Sequence, residues 1–142
     1  MNLSGGGSVK SRPGAMIEMA GTVVLQGKTK FSMKNMLTGG SMYESVYTGS
    51  GELTLAPVML GDITTIQIDN SSAWKIGKDA YLASTVDVRK EAKSQGIGKA
   101  LFSGEDLFVH NILGQGLLWV SSFGAISRRE VSQSKTKRPK VD

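Results

Sequence analysis

Residues 37–63 read LTGGSMYESVYTGSGELTLAPVMLGDI, and residues 100–126 read ALFSGEDLFVHNILGQGLLWVSSFGAI. Laid over one another so that Gly49 meets Gly114, the two stretches share a pattern. In this alignment Thr38-Gly39 falls on Ser103-Gly104, Met42-Tyr43 on Leu107-Phe108, and Gly49-Ser50-Gly51 on Gly114-Gln115-Gly116. Leu53 falls on Leu118 and Leu55 on Val120; after a short deletion, Gly61-Asp62-Ile63 meets Gly124-Ala125-Ile126. A weaker copy of that ending stands at Gly14-Ala15-Met16. Each unit holds an apolar–aromatic run, a Gly-x-Gly break where glycine can supply a positive φ, and a run of alternating apolar residues. The pattern predicts two similar β-meander repeats over about 38–63 and 103–126. In each, the aromatic strand is expected to pair with the alternating strand across the glycine turn, and the two units to pack face to face over their aromatic strands.

The rest of the chain has the same character. Short β-branched or alternating runs stand at 21–26, 62–69, 80–88, 107–112 and 117–121, separated by Thr-Gly-Ser-Gly, Leu-Gly-Asp, Asp-Asn-Ser-Ser and Gly-Gln-Gly turns. Only Arg89 to Gln95 has a helix-compatible composition; it lacks an apolar stripe and reads as an exposed loop or single turn. An all-β sandwich or barrel follows. Its 142 residues suit one domain, with 39% hydrophobic and 20% charged residues, and 18 Gly against 3 Pro. No apolar run reaches the roughly 18 residues of a membrane-spanning helix.

Composition also argues against most enzymes. There is no cysteine, which excludes disulfides, thiolate metal sites and thiol nucleophiles, and His110 is the single histidine. His110 lies in LFVHNI on the side of Phe108 and Ile112 and reads as a strand histidine rather than a ligand or base. Glu105 and Asp106 are adjacent, so the backbone points them apart, and Glu105 suits a turn. Gly96-Ile97-Gly98-Lys99-Ala100 lacks the spacing and the Ser/Thr of a phosphate loop. Trp74 and Trp119 could stack on bases, although burial in a core or subunit contact is the ordinary fate of such residues. No catalytic residue, cofactor or metal site is expected.

The charge is uneven. Of the net +5, a charge of +4 lies beyond Ser127, where Arg128, Arg129, Lys135, Lys137, Arg138 and Lys140 face only Glu130 and Asp142. Such a tail suits a disordered end, or contact with an anionic partner, nucleic acid or lipid. At the other end, residues 1–12 are Gly/Ser-rich and are expected to be flexible; Lys10 and Arg12 hint at an organellar presequence, but Gly5, Gly6, Gly7 and Pro13 oppose its helix.

The PGAM of Pro13 to Met16, the two long stretches quoted above and AYLAS (80–84) together resemble the altered inheritance of mitochondria 24 family. The resemblance spans roughly Pro13 to Ile126, and its Ser-Gly-Glu-x-Leu-Phe and Leu-Ala-Pro-x-x-x-Gly-Asp-Ile elements are specific. It implies an all-β fold similar to the tryptophan RNA-binding attenuation protein (TRAP-like), often self-associating. For fungal members it implies a mitochondrial setting and a role in inner-membrane organisation. Members usually carry further strands on both sides, so the chain looks like a shortened, fungal-type member with unpaired sheet edges. The expected organisation is a flexible 1–12, a TRAP-like β domain over 13–127, and a basic tail over 128–142. The expected function is that of a non-enzymatic structural or assembly protein, self-associating or bound to protein partners at the mitochondrial inner membrane. The alternative is a cytoplasmic binding module for nucleic acid or anionic lipid, using the basic tail.

Overall fold

Alternating β-branched and apolar residues form strands along the whole of the chain that the structure, a computed structural model, describes: residues 1–29, 43–71, 74–77, 79–92 and 109–129. The first half contains β1 (Asn2–Leu3), β2 (Ser8–Ser11), β3 (Met16–Met19), β4 (Val23–Thr29), β5 (Tyr43–Gly49) and β6 (Gly51–Leu55). The second contains β7 (Ile63–Ile68), β8 (Trp74–Gly77), β9 (Tyr81–Thr85), β10 (Arg89–Ala92), β11 (Val109–Leu113) and β12 (Gly116–Ser121). The fold is all-β, with no helix among the described residues.

The strands form sheets in the orders β1-β6-β3, β10-β11-β8 and β4-β5-β2-β9-β12-β7. These reduce to one three-stranded pattern used four times. In the first half β6 lies between β1 and β3, and β5 between β4 and β2; in the second, β12 lies between β7 and β9, and β11 between β10 and β8. The register repeats in the alignment that sets Gly49 on Gly114: Val9↔Tyr47 becomes Trp74↔Ile112, Leu25↔Tyr47 becomes Lys90↔Ile112, and Leu3↔Gly51 becomes Ile68↔Gly116. Even the irregularity recurs. The shift that leaves Ile17 unpaired between Met16↔Leu55 and Glu18↔Thr54 has its counterpart at Leu82, between Tyr81↔Val120 and Ala83↔Trp119. Such bulges bend a strand and increase its twist.

The expected hairpin across Gly-x-Gly is absent: β5 and β6 belong to different sheets, and so do β11 and β12. Each glycine pair carries the chain out of one sheet and into the other. Gly49 and Gly51 have φ of 145° and 142°, a region that side-chain-bearing residues avoid. Close packing adds a second requirement, because a Cβ on Gly49 would overlap Thr22 O and one on Gly51 would stand 2.7 Å from Ala20 Cβ. The second corner repeats the first: Gly114 (φ 102°) lies against Asp87 O and Gly116 (φ 143°) against Thr85 Oγ1. The sequence shows the glycines but not whether the strands beyond them turn back or cross over.

Each half therefore has its own small core. Leu3, Val9, Val23, Tyr47 and Leu53 form one, with Leu82 and Ala83 reaching in from β9; Ile68, Ile76, Tyr81, Val88, Ile112 and Leu118 form the other. Leu53 and Leu118, which occupy matching positions of the two repeats, are both fully buried. The aromatic strand packs inside its own unit instead of between units. Trp119 packs against the first core and Trp74 against the second, both half-buried.

Two expectations about loops are corrected. Residues 1–12 are not a flexible lead: β1 and β2 place Leu3, Val9 and Ser11 at 6% exposure or less. Gly5 and Gly6, with φ of 61° and 77°, form the turn between those strands. The segment 89–95 begins as β10 rather than as a loop. Its inward position carries Lys90, which an apolar-pattern search passes over.

Candidate functional site

β2 and β9 join the two halves, pairing antiparallel with Val9↔Thr85, Lys10↔Ser84 and Ser11↔Ala83. Arg12 N–H extends the seam by donating to Leu82 O at 3.0 Å, so the bulge residue has its carbonyl held from the other half. A polar cluster is buried at this seam. The Lys90 ammonium lies 3.0 Å from a Glu44 carboxylate oxygen, with side chains 9% and 14% exposed, and 3.7 Å from the centroid of the Tyr81 ring. The Tyr81 hydroxyl is 3.0 Å from Ser84 Oγ and donates to Lys10 O at 3.4 Å, while the Lys10 ammonium donates to Val88 O. Burial pushes the Tyr81 phenol well above its usual range; the Ser84 hydrogen bond opposes that shift and the Glu44 charge adds to it. The groups form a hydrogen-bonded and ion-paired network across the seam.

Among the described residues, no strand covers the same positions in the other direction. β3 matches β9 and β8 matches β2, and each pairs with one described strand only. Leu82 is 2% exposed, whereas its counterpart Ile17 is 64% exposed; Ser84 is fully buried, whereas Met19 is 38% exposed. The polar cluster has no counterpart there. Lys90 corresponds to Leu25, Glu44 to Val109, Tyr81 to Met16 and Ser84 to Met19, while Lys10 corresponds to Lys75. Leu25 is 42% exposed and Val109 is half-buried.

A second apolar surface lies where the two halves end. Gly61 and Gly124 form a parallel bridge, Asp62 N–H donates to Gly124 O, and Ile126 N–H donates to the Asp62 carboxylate at 3.2 Å. The loops beside the bridge expose Val58, Met59, Leu60 and Phe123, with Leu60 at 89%.

The residues singled out from sequence are placed differently. Arg128 and Arg129 are exposed beyond this bridge; Lys135, Lys137, Arg138 and Lys140 lie outside the described residues, as do Glu105, Asp106 and the Gly96–Ala100 segment. His110 is a strand histidine at 7% exposure, on the same face of β11 as the fully buried Ile112. Among the described residues no three His, Cys, Asp or Glu side chains converge as a metal site would require. Sequence reasoning missed Lys10, Glu44, Tyr81 and Lys90, and also Ile17, Met19 and Leu25. A signal did exist: Glu44 and Lys90 each fall on an apolar residue of the other repeat, so both members of an ion pair change character together.

The comparisons agree on the relationship. A crystal structure of protein SPYM3_0169 from Streptococcus pyogenes superposes with a TM-score of 0.68 and 27% identity, covering 87% of this chain and 58% of that one. A second protein, M6_Spy0233 of Streptococcus pyogenes serotype M6, is 31% identical over 144 aligned residues, covering 90% of this chain and 57% of the relative. The chain thus spans a little under three-fifths of the length of each of these relatives. The family described as mitochondrial biogenesis AIM24 matches residues 1–138, nearly the whole sequence, and the chain belongs to that family.

Proposed function

We propose that the chain is a non-enzymatic structural or assembly protein that works through its sheet edges. It would self-associate or bind protein partners at the mitochondrial inner membrane, as a TRAP-like duplicated β unit over residues 13–127, drawing its N-terminal strands from 1–12 and followed by a basic tail over 128–142. The observation that carries the reading is a pair of edges, β3 and β8, that no other described strand covers, while their counterparts β9 and β2 are joined inside the chain. Membership of a family described by mitochondrial biogenesis supports the setting. Light scattering over a wide concentration range tests the assembly reading: the expected mass exceeds the 15.1 kDa of one chain and rises with concentration, and a strict monomer refutes it. Subcellular fractionation with protease protection and carbonate extraction tests the setting. Recovery with the inner membrane supports it, and a clean cytosolic signal overturns it.

A second reading rests on the exposed Arg128 and Arg129, which begin the basic tail just past the exposed Phe123 and Ile126. In that reading the tail binds an anionic lipid surface or nucleic acid. Removing residues 128–142 should then abolish salt-sensitive binding to anionic vesicles or to a mixed oligonucleotide. Binding that survives the deletion excludes the tail.

A further inference from the structure

We propose that the paired loops 56–62 and 121–127 form a membrane-docking tip, whose apolar side chains enter an anionic bilayer while Arg128 and Arg129 meet its headgroups; this deepens the anionic-lipid reading of the tail and rests on it. The sequence around the tip is unusual for a surface. Residues 53–61 and 117–127 carry no charge, and the first charged groups beyond the second stretch are the two arginines. Val58, Met59, Leu60 and Phe123 stand at 62% to 89% exposure, and of the other described large apolar side chains only Ile17, on β3, is comparably exposed. A single exposed apolar residue is ordinary, but a cluster of four marks a contact surface.

The two loops are held as one unit. Gly61 and Gly124 bridge in parallel, Asp62 N–H donates to Gly124 O at 3.0 Å, and Ser122 N–H donates to Asp62 O at 3.1 Å. A Cβ on Gly61 would overlap Ser122 O, so the loops meet there backbone against backbone. Asp62 is the one acid in the two loops, and its carboxylate accepts Ile126 N–H at 3.2 Å, which ties it to the second loop. A tip formed in advance loses little conformational freedom on docking.

Charge selects the occupant. The sequence beyond Ser127 carries a net +4, and the exposed Arg128 and Arg129 follow the apolar apex directly. In an interfacial anchor the alkyl and ring groups leave water beneath the headgroups, and the cations stay with the phosphates. Nucleic acid offers the phosphates but no apolar medium, so Val58, Met59 and Leu60 would gain nothing from it. Either signal alone gives weak, reversible attachment; an apolar anchor joined to a basic stretch gives stable attachment.

Co-sedimentation of the full chain with vesicles of phosphatidylcholine containing about a third phosphatidylserine tests the tip. The parent should bind, and Leu60→Asp combined with Phe123→Asp should weaken binding at least about tenfold. Arg128→Glu with Arg129→Glu should weaken it about as much and flatten its salt dependence. All four side chains are exposed, so the thermal midpoint should stay that of the parent. The chain has no cysteine, so Met59→Cys carries a single environment-sensitive dye. Its emission should shift to the blue on addition of vesicles and be quenched by spin-labelled acyl chains. Vesicle binding that the paired Asp substitutions leave unchanged, or a dye that stays in water, overturns the tip and leaves the tail reading standing. A fall in light-scattering mass caused by the same substitutions without vesicles assigns the surface to a second copy and also overturns it. Binding to a mixed oligonucleotide but not to vesicles overturns the tip and keeps the nucleic-acid form of the tail reading. Binding to neither overturns both.

Discussion

Replacing Lys90 by leucine, the residue at the matching position in the first half, separates the buried ion pair from the packing around it. The parent ammonium sits 3.0 Å from Glu44 and 3.7 Å from the Tyr81 centroid. Lys90→Leu leaves a carboxylate, on a side chain 14% exposed, facing an alkyl group and an aromatic face. Breaking a buried pair by removing one partner costs about 3–5 kcal/mol. Both side chains keep some contact with water, which places the expected loss near the lower end, at about 3 kcal/mol. The double variant Glu44→Val with Lys90→Leu reproduces Val109 and Leu25, the residues at the matching positions. Removing both charges together is close to neutral, within about 1 kcal/mol. Glu44→Val alone strands the ammonium and should also cost about 3 kcal/mol, so the coupling in the double-mutant cycle, which subtracts both single losses from the double, should be about 5 kcal/mol. Urea unfolding at one fixed, low protein concentration measures it, with unchanged slope and a shifted midpoint as the sign of altered stability. Raising the salt should recover little of the single variant's loss, because a buried pair is poorly screened. Additive losses, or a single variant within about 0.5 kcal/mol of the parent, would show that the cluster is an incidental surface pair and that the seam does not depend on it.

Two further outcomes follow from the same geometry. The buried Tyr81 phenol is held neutral in the fold, with its pKa raised, so the unfolded chain loses that proton first as pH passes about 10. The contribution is complete below that pH and is lost above it, with a slope of up to about 1.4 kcal/mol per pH unit. Tyr81→Phe should flatten the fall of stability in alkaline solution; an unchanged slope would assign the loss to other groups. Gly116→Ala sets a Cβ against Thr85 Oγ1 at a φ of 143° and should destabilise by about 2–3 kcal/mol, whereas an alanine at Gly21, with open space around it, should shift thermal unfolding far less.

How much of this was legible in the sequence depended on what each residue type can report. The match between Gly49-Ser50-Gly51 and Gly114-Gln115-Gly116 was readable because glycine leaves a mark independent of burial. Strand content was readable from β-branched runs such as DITTIQID. The partners of those strands were not, because Gly-x-Gly serves equally as a hairpin turn and as a crossing between sheets; the choice rests on the passage of Thr22 and Asp87 beside the glycines. The N-terminal strands were hidden for a related reason, three consecutive glycines reading as a linker until Leu3 and Val9 are seen in the core. The seam escaped because its inward residues on β10 and β2 are lysines, and periodicity arguments place lysine in water. The edges that no described strand covers could only be recognised against the seam that β2 and β9 form.

The position of β2 between β5 and β9 also bears on how the chain acquires its structure during synthesis. Residues 8–11 emerge before both of their neighbours, and Lys10 finds hydrogen-bond partners at separations of 71 and 78 residues. Closing such long loops precedes any reward from pairing, so folding of this topology is slow compared with a helical chain of equal length. Until β9 has left the ribosome, β2 presents a bare strand with an apolar flank, the kind of surface that chaperones hold and that aggregates when unattended. The duplication deepens this exposure: while β9 is still unmade, β3, which carries the same bulge, is already complete and can be taken in its place by the β2 of a neighbouring nascent chain.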